Sequence, residues 1–117
     1  MVANTAPIFS KQAHASWVNG ITAANTAKDG TGTVDTVFTA GATDASFLRR
    51  LIVRPRGTNV ASVLRVFLNN GSTNATAANN ALIGEATLPA TTNSEVAAIQ
   101  GTEISLNIPL PAGYKIN

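Results

Sequence analysis

An all-β fold, either a sandwich or a barrel, is what this sequence predicts, on three observations. Apolar and polar residues alternate with a period of two along most of the chain, the pattern of strands that cover one face. The alternating runs are short and separated by turn formers: Asn19-Gly20, Lys28-Asp-Gly-Thr-Gly32, Ala40-Gly41, Pro55-Arg-Gly57, Asn69-Asn-Gly71 and Pro111-Ala-Gly113. Glycine supplies positive φ at such turns, and asparagine and aspartate tolerate it better than other residues. The one stretch that competes as a helix, Thr73–Ala81, is short, carries Asn74, Asn79 and Asn80, and lacks charge pairs. An isolated helix of that length is marginal in water, so it reads as a loop with a single helical turn.

Taken in order, strands are predicted at Pro7–Val18, Thr33–Thr39, Ser46–Arg54, Ser62–Leu68, Ala81–Leu88, Glu103–Leu110 and from Tyr114 to the end. Several short strands punctuated this way suit a sandwich. The segment Ala90–Gln100 reads as a loop or a weak strand. In Glu103–Leu110, Ile104, Leu106, Ile108 and Leu110 share one face opposite Ser105, Asn107 and Pro109. Pro109 and Pro111 cannot donate ladder hydrogen bonds, which places this end at a sheet edge or bulge. At 117 residues the chain holds one domain with one core. Residues 1–10 have no core pattern of their own and read as an extended arm.

Two runs depart from simple alternation. Phe47-Leu-Arg-Arg-Leu-Ile-Val53 and Ser62-Val-Leu-Arg-Val-Phe-Leu68 are apolar on both faces and studded with arginine. A strand with one wet face should be polar on that face, so the second face of these strands is expected to meet another molecule. By strict parity Leu64, Val66 and Leu68 form the core side of the later run, and Val63, Arg65 and Phe67 the other. In the earlier run Phe47, Arg49, Leu51 and Val53 share one side, and Leu48, Arg50, Ile52 and Arg54 the other. Arginine mixed with large apolar residues is the composition of a protein–protein contact. Arg50, Ile52, Arg54, Arg56, Arg65 and Phe67 are therefore the candidate contact residues; the alternative is that both strands are fully internal and the arginines sit at strand ends.

Composition points the same way. Charged residues make up 12% of the chain, about half the usual ~25%, and Thr and Asn take their place, so the surface is weakly protected against association. The net charge of +2 goes with few titratable groups, and Lys and Arg form no run of four or more. A nucleic-acid binder normally shows a dense basic stripe, so none is expected as a partner. Without cysteine there is no disulfide, thiolate chemistry or Cys-based zinc site. The first residues lack the basic and apolar regions of a secretory signal, and no apolar stretch approaches the ~18 residues of a membrane span. A soluble product made in the cytoplasm is expected, and the glycosylation patterns at Asn70 and Asn74 then carry little weight.

No residue pattern announces catalysis. His14, the single histidine, shares strand parity with Ser16, but no acid lies nearby to complete a triad. The six carboxylates, Asp29, Asp35, Asp44, Glu85, Glu95 and Glu103, form no close repeated pair. Asp29-Gly-Thr-Gly-Thr-Val-Asp35 offers oxygens that would suit calcium but lacks the acids and closing Glu of an EF-hand, and a turn explains the same residues. Gly30-Thr-Gly32 lacks the lysine and the strand-to-helix setting of a phosphate loop. Neither an enzyme nor a cofactor is expected.

Several stretches carry a resemblance: Asp29-Gly-Thr-Gly32, Val37-Phe-Thr-Ala-Gly41, Gly57 through Gly71, Leu82-Ile-Gly-Glu-Ala-Thr-Leu-Pro89 and Leu110-Pro-Ala-Gly-Tyr114. Together they resemble small virion proteins of tailed bacteriophages, and within that group the jelly-roll head decoration, or cement, proteins. The similarity runs from about residue 5 to the end and consists of sandwich residues without a catalytic signature. It implies a jelly-roll β-sandwich on the outer capsid surface, forming a homodimer or homotrimer at a symmetry axis and clamping the major capsid protein. It places Arg50, Arg54, Arg56, Arg65 and Phe67 at subunit contacts and residues 1–10 over a neighbour. Sequences of this kind usually add one more hairpin after Pro-x-Gly-Tyr, where this chain ends, so a neighbour is a candidate to complete the last strand pair. Two alternatives remain open: a receptor- or carbohydrate-binding sandwich of a tail or fibre, and a neck or tail adaptor. The first usually gathers Trp and Tyr in loops, and here Trp17 and Tyr114 are the only two such aromatics.

Overall fold

The structure, a computed structural model, describes residues 14–117. It is all-β: β1 (Phe38–Thr39), β2 (Ser46–Val53), β3 (Ser62–Asn69), β4 (Asn80–Leu88), β5 (Thr102–Leu110) and β6 (Lys115–Ile116), with one 3₁₀ turn at Ala77–Asn79. All pairings are antiparallel. One sheet has the order β1-β6-β3-β4, and the other consists of β2 and β5. The two sheets pack as a sandwich, with apolar residues of both turned to a shared core.

The four long strands lie where alternation predicts them, each within a residue or two of the expected ends. The helical turn falls inside the Thr73–Ala81 loop, and Ala90–Gln100 is irregular apart from a single bridge between Asn59 and Thr91. Elsewhere the pattern overstates strand. Of the predicted Thr33–Thr39 run only Phe38–Thr39 pairs, and of the final run only Lys115–Ile116. Of Pro7–Val18, residues 14–18 form no strand, and residues 7–13 lie outside the described residues, as does the predicted arm at 1–10.

The runs 47–53 and 62–68 are successive in sequence but belong to different sheets. They are not neighbours in one central sheet, and each has its own cross-strand partner. β3 pairs with β4 throughout and with β6 at Leu68 and Asn69. β2 pairs with β5 alone.

The buried core is small and sits at one end. Ala40, Val66, Leu110 and Ile116 form its centre, and Val37, Phe38, Leu48, Leu51, Leu64, Leu68, Ile83, Ile104, Leu106, Ile108 and Tyr114 pack around it. Leu110 is fully enclosed. Pro111 follows it, and the tight Pro111–Tyr114 turn sends β6 back beside β3, so the end of β5 and all of β6 share this end of the sandwich. Ala40 closes it with a backbone hydrogen bond to the Tyr114 carbonyl at 2.8 Å. At Gly84 of β4 the two sheets approach closely. A Cβ there would stand 3.3 Å from Ile104 Cγ2 and 3.4 Å from Leu106 Cδ2, so the residue without a side chain lets β5 pack directly onto β4.

One polar side chain is buried with this core. Asn69 Nδ2 donates to Asn80 Oδ1 at 2.9 Å, while Asn69 Oδ1 accepts from the Gly71 N–H at 2.8 Å. Asn80 in turn donates to the Asn74 carbonyl, and Asn74 to the carbonyls of Gly30 and Gly32. These asparagines tie the β3–β4 loop to the Lys28–Gly32 turn. A buried amide with both ends partnered costs little, and each missing partner would cost about 1–3 kcal/mol.

Candidate interaction surface

The outward face of β2 is formed by a break in register. Leu48 faces Ile108 and Arg50 faces Ser105, so one extra residue of β5 is accommodated between them. Asn107 lies in this stretch with a φ of 48°, a left-handed conformation that asparagine tolerates. The irregularity shifts β2 by one residue relative to strict parity. Leu48, Leu51 and Val53 turn inward, whereas Phe47, Arg49, Arg50, Ile52 and Arg54 all lie exposed. Parity alone puts Phe47 with Leu51 and Leu48 with Arg50, and the bulge reverses both groupings.

The result is a face on which Phe47 is 62% and Ile52 49% exposed, set among three guanidinium groups. Arg50 lies opposite Ser105 and reaches Glu103 at 3.5 Å, an exposed pair of small energetic weight. Arg54 lies against Gly101, close enough that a Cβ there would stand 3.3 Å from its Cγ. Arg56, in the following turn, donates to Asn19 Oδ1. It is therefore held beside the 14–27 segment and off the β2 face. Among the described residues Arg49, Arg54 and Arg56 make no ion pair.

The other two candidates lie on the second sheet. Arg65 is directly across from Glu85 and its Nε lies 3.0 Å from Oε1, so its charge is matched within the chain. Exposed Val63 and Leu82 flank the pair. Phe67 does not present a surface. It is 7% exposed, and its N–H and carbonyl bond the carbonyl and N–H of Asn117 at 2.9 and 3.0 Å. Its own chain covers it, so it is a packing residue and the expectation of a contact residue is corrected. A register break against β4, where Val66 faces Gly84 and Phe67 faces Leu82, interrupts the alternation, and the consecutive Val66 and Phe67 are both buried.

Phe47 was visible as apolar and Arg49 as basic, yet parity put them with the inward-facing residues. The signal that would have regrouped them is Asn107, the one non-glycine residue at positive φ among the described residues.

Between β2, β3 and the 14–27 segment runs an open groove. Leu48, Leu51, Val53 and Leu64 line it from the sheets, with the exposed Trp17 and Ile21 from the segment. The remaining polar residues weighed for chemistry have structural partners or stand alone. Asp29 Oδ1 accepts from the Thr31 hydroxyl at 2.6 Å and from its N–H at 3.1 Å, and these bonds, the hydroxyl first, hold its carboxyl below the usual aspartate pKa. Ser16 donates to the Val37 carbonyl, which holds its hydroxyl on backbone. Among the described residues no three His, Cys, Asp or Glu side chains gather as a metal site would need, and no helix is long and apolar enough to cross a membrane. Tyr114 packs on the core while Trp17 is exposed on the 14–27 segment, so the two aromatics make no shared platform. Comparison with protein-family models, curated proteins and solved structures finds no match to this chain.

Proposed function

We propose that this protein is a structural subunit of a tailed-phage virion, a decoration protein of jelly-roll wiring that binds the outer surface of the assembled head and clamps neighbouring coat subunits. The observation that carries the reading is the β2 face, where Phe47 and Ile52 lie exposed among Arg49, Arg50 and Arg54. Large apolar side chains between guanidinium groups are enriched where proteins meet. The surface otherwise bears few charges, which a molecule fixed within a large ordered assembly tolerates.

The task on this reading is thermodynamic. A subunit that binds the assembled shell and not the free coat protein stabilises the shell by mass action. Repetition over many sites multiplies a modest contact energy through effective concentration. Self-association into a dimer or trimer suits the outer face of β3–β4, where the Arg65–Glu85 pair is neutral and flanked by Val63 and Leu82. The β2 face, with three arginines against one glutamate, suits a different protein.

The test is co-sedimentation with undecorated heads assembled from the coat protein encoded beside this chain. The protein should pellet with heads and remain in solution with unassembled coat protein. Its absence from the pellet under saturating conditions would overturn the reading.

A further inference from the structure

The edge of β2 away from β5 has three properties that together describe an occupant. It is unpaired: among the described residues every backbone ladder of β2 goes to β5, and no other backbone hydrogen bond reaches Ser46–Val53. It has no proline or glycine in eight residues, and its one irregularity, the register break between Leu48 and Arg50, comes from an extra residue on the β5 side, so the stretches on either side of the break can template another strand. It is also two-sided. The side chains on its inner side, Leu48, Leu51 and Val53, are half-buried, two of them against the core, and those on its outer side, Phe47, Arg49, Arg50 and Ile52, with Arg54 just beyond, are exposed.

We propose that this edge binds, by strand addition, an extended segment of another protein in which apolar and acidic residues alternate. A strand laid on the edge points successive side chains to opposite faces. Its apolar residues enter the groove against Leu48, Leu51, Val53 and Leu64. Its carboxylates rise beside Arg49, Arg50 and Arg54, where the chain itself supplies only Glu103 as a counter-charge.

The same chemistry argues against the chain as its own partner. Two β2 strands paired antiparallel near their centres would set Arg49 and Arg50 against Arg50 and Arg49, and like charges directly opposite destabilise a ladder. Residues 1–13 contain Lys11 and no acid. The run that does alternate an acid with apolar residues, Glu103-Ile-Ser-Leu106, is already spent in β5. The inference deepens the proposed shell-binding role and rests on it only for the partner's identity, a coat subunit.

The test uses the full chain and three capped heptapeptides: one alternating glutamate and valine, one of the same composition in two blocks, and one with lysine for glutamate. Binding is read from backbone amide NMR shifts and from Trp17 fluorescence. The alternating acidic peptide should shift the amides of Ser46–Val53 and bind about tenfold more tightly than either control, the difference that two exposed ion pairs supply. Arg50→Gln with Arg54→Gln should remove most of that advantage, and added salt should do the same. Both side chains are exposed, so unchanged unfolding midpoints will show the variants intact. Equal binding of the three peptides, shifts confined to β3–β4, or equal competition by a peptide of residues 1–13 would each overturn the proposal. Should these fail while the chain still pellets with heads, the edge inference falls and the shell reading stands; the reverse outcome removes the shell reading alone.

Discussion

The end of the sandwich where β1, β6 and β3 meet and the side along β2 are made from similar residues and behave oppositely. At the closed end, Leu110, Ile116, Val66 and Phe67 are buried, and Asn69 has every polar atom partnered. Along β2 the same residue classes lie open: Phe47 and Ile52 face outward, Arg49 and Arg54 make no ion pair, and the backbone edge is unpaired among the described residues. The contrast shows where this chain is self-sufficient. The fully buried side chains belong to the closed end, while β2 gives the core Leu48 and Leu51 from its inner side and keeps Phe47 and Ile52 outside it.

The sharpest way to break this contrast is to truncate one large apolar residue from each part. Leu110→Ala should lower unfolding free energy by about 2–5 kcal/mol, through lost burial and the cavity left behind. Ile52→Ser should change it by no more than about 0.5 kcal/mol, as for ordinary surface positions. Urea denaturation followed by Trp17 fluorescence or circular dichroism measures both, and equal losses would erase the distinction.

Next in size is Gly71→Ala. Gly71 has a φ of 92°, and a Cβ there would lie 2.8 Å from the Gly113 carbonyl oxygen. Strain and clash with backbone should cost about 1–3 kcal/mol, seen as a lower thermal midpoint. Asn69→Ala should have a similar effect, because it removes a fully buried side chain with both of its hydrogen bonds and leaves Asn80 Oδ1 without its donor, a loss of about 1–3 kcal/mol.

Arg65→Ala removes an exposed cross-strand ion pair and should cost less than about 1 kcal/mol, shrinking further as salt is added. The smallest effect belongs to Asp29. Its folded pKa is depressed by the Thr31 hydroxyl and N–H, so its contribution is present above the ordinary aspartate pKa and is lost as pH falls through the lower folded value. In Thr31→Val the carboxyl should titrate closer to its ordinary pKa in an NMR pH series.

Much of this division was legible in the residues. Strict alternation in Ile104–Leu110 and Leu64–Leu68 identifies inner faces that the structure keeps, and the turn glycines fall between strands. Three things were not legible, each for a physical reason. Local alternation says nothing of which strand pairs with which, and non-local pairing puts the successive runs 47–53 and 62–68 in different sheets. Parity fails across a bulge, and a single residue of slip regroups Phe47 with Arg50 and Ile52. Phe67 reads as outward by the same parity, but β3 has its own register break between Val66 and Phe67, and both are buried.

Residue-resolved amide hydrogen exchange, on the free chain and on the chain bound to heads, tests the division most directly. The account predicts slow exchange for Val66–Asn69 and Lys115–Asn117 in both states, and fast exchange along the unpaired edge of β2 that becomes slow only on the shell. Slow exchange throughout β2 in the free monomer, or no added protection there on binding, would contradict it.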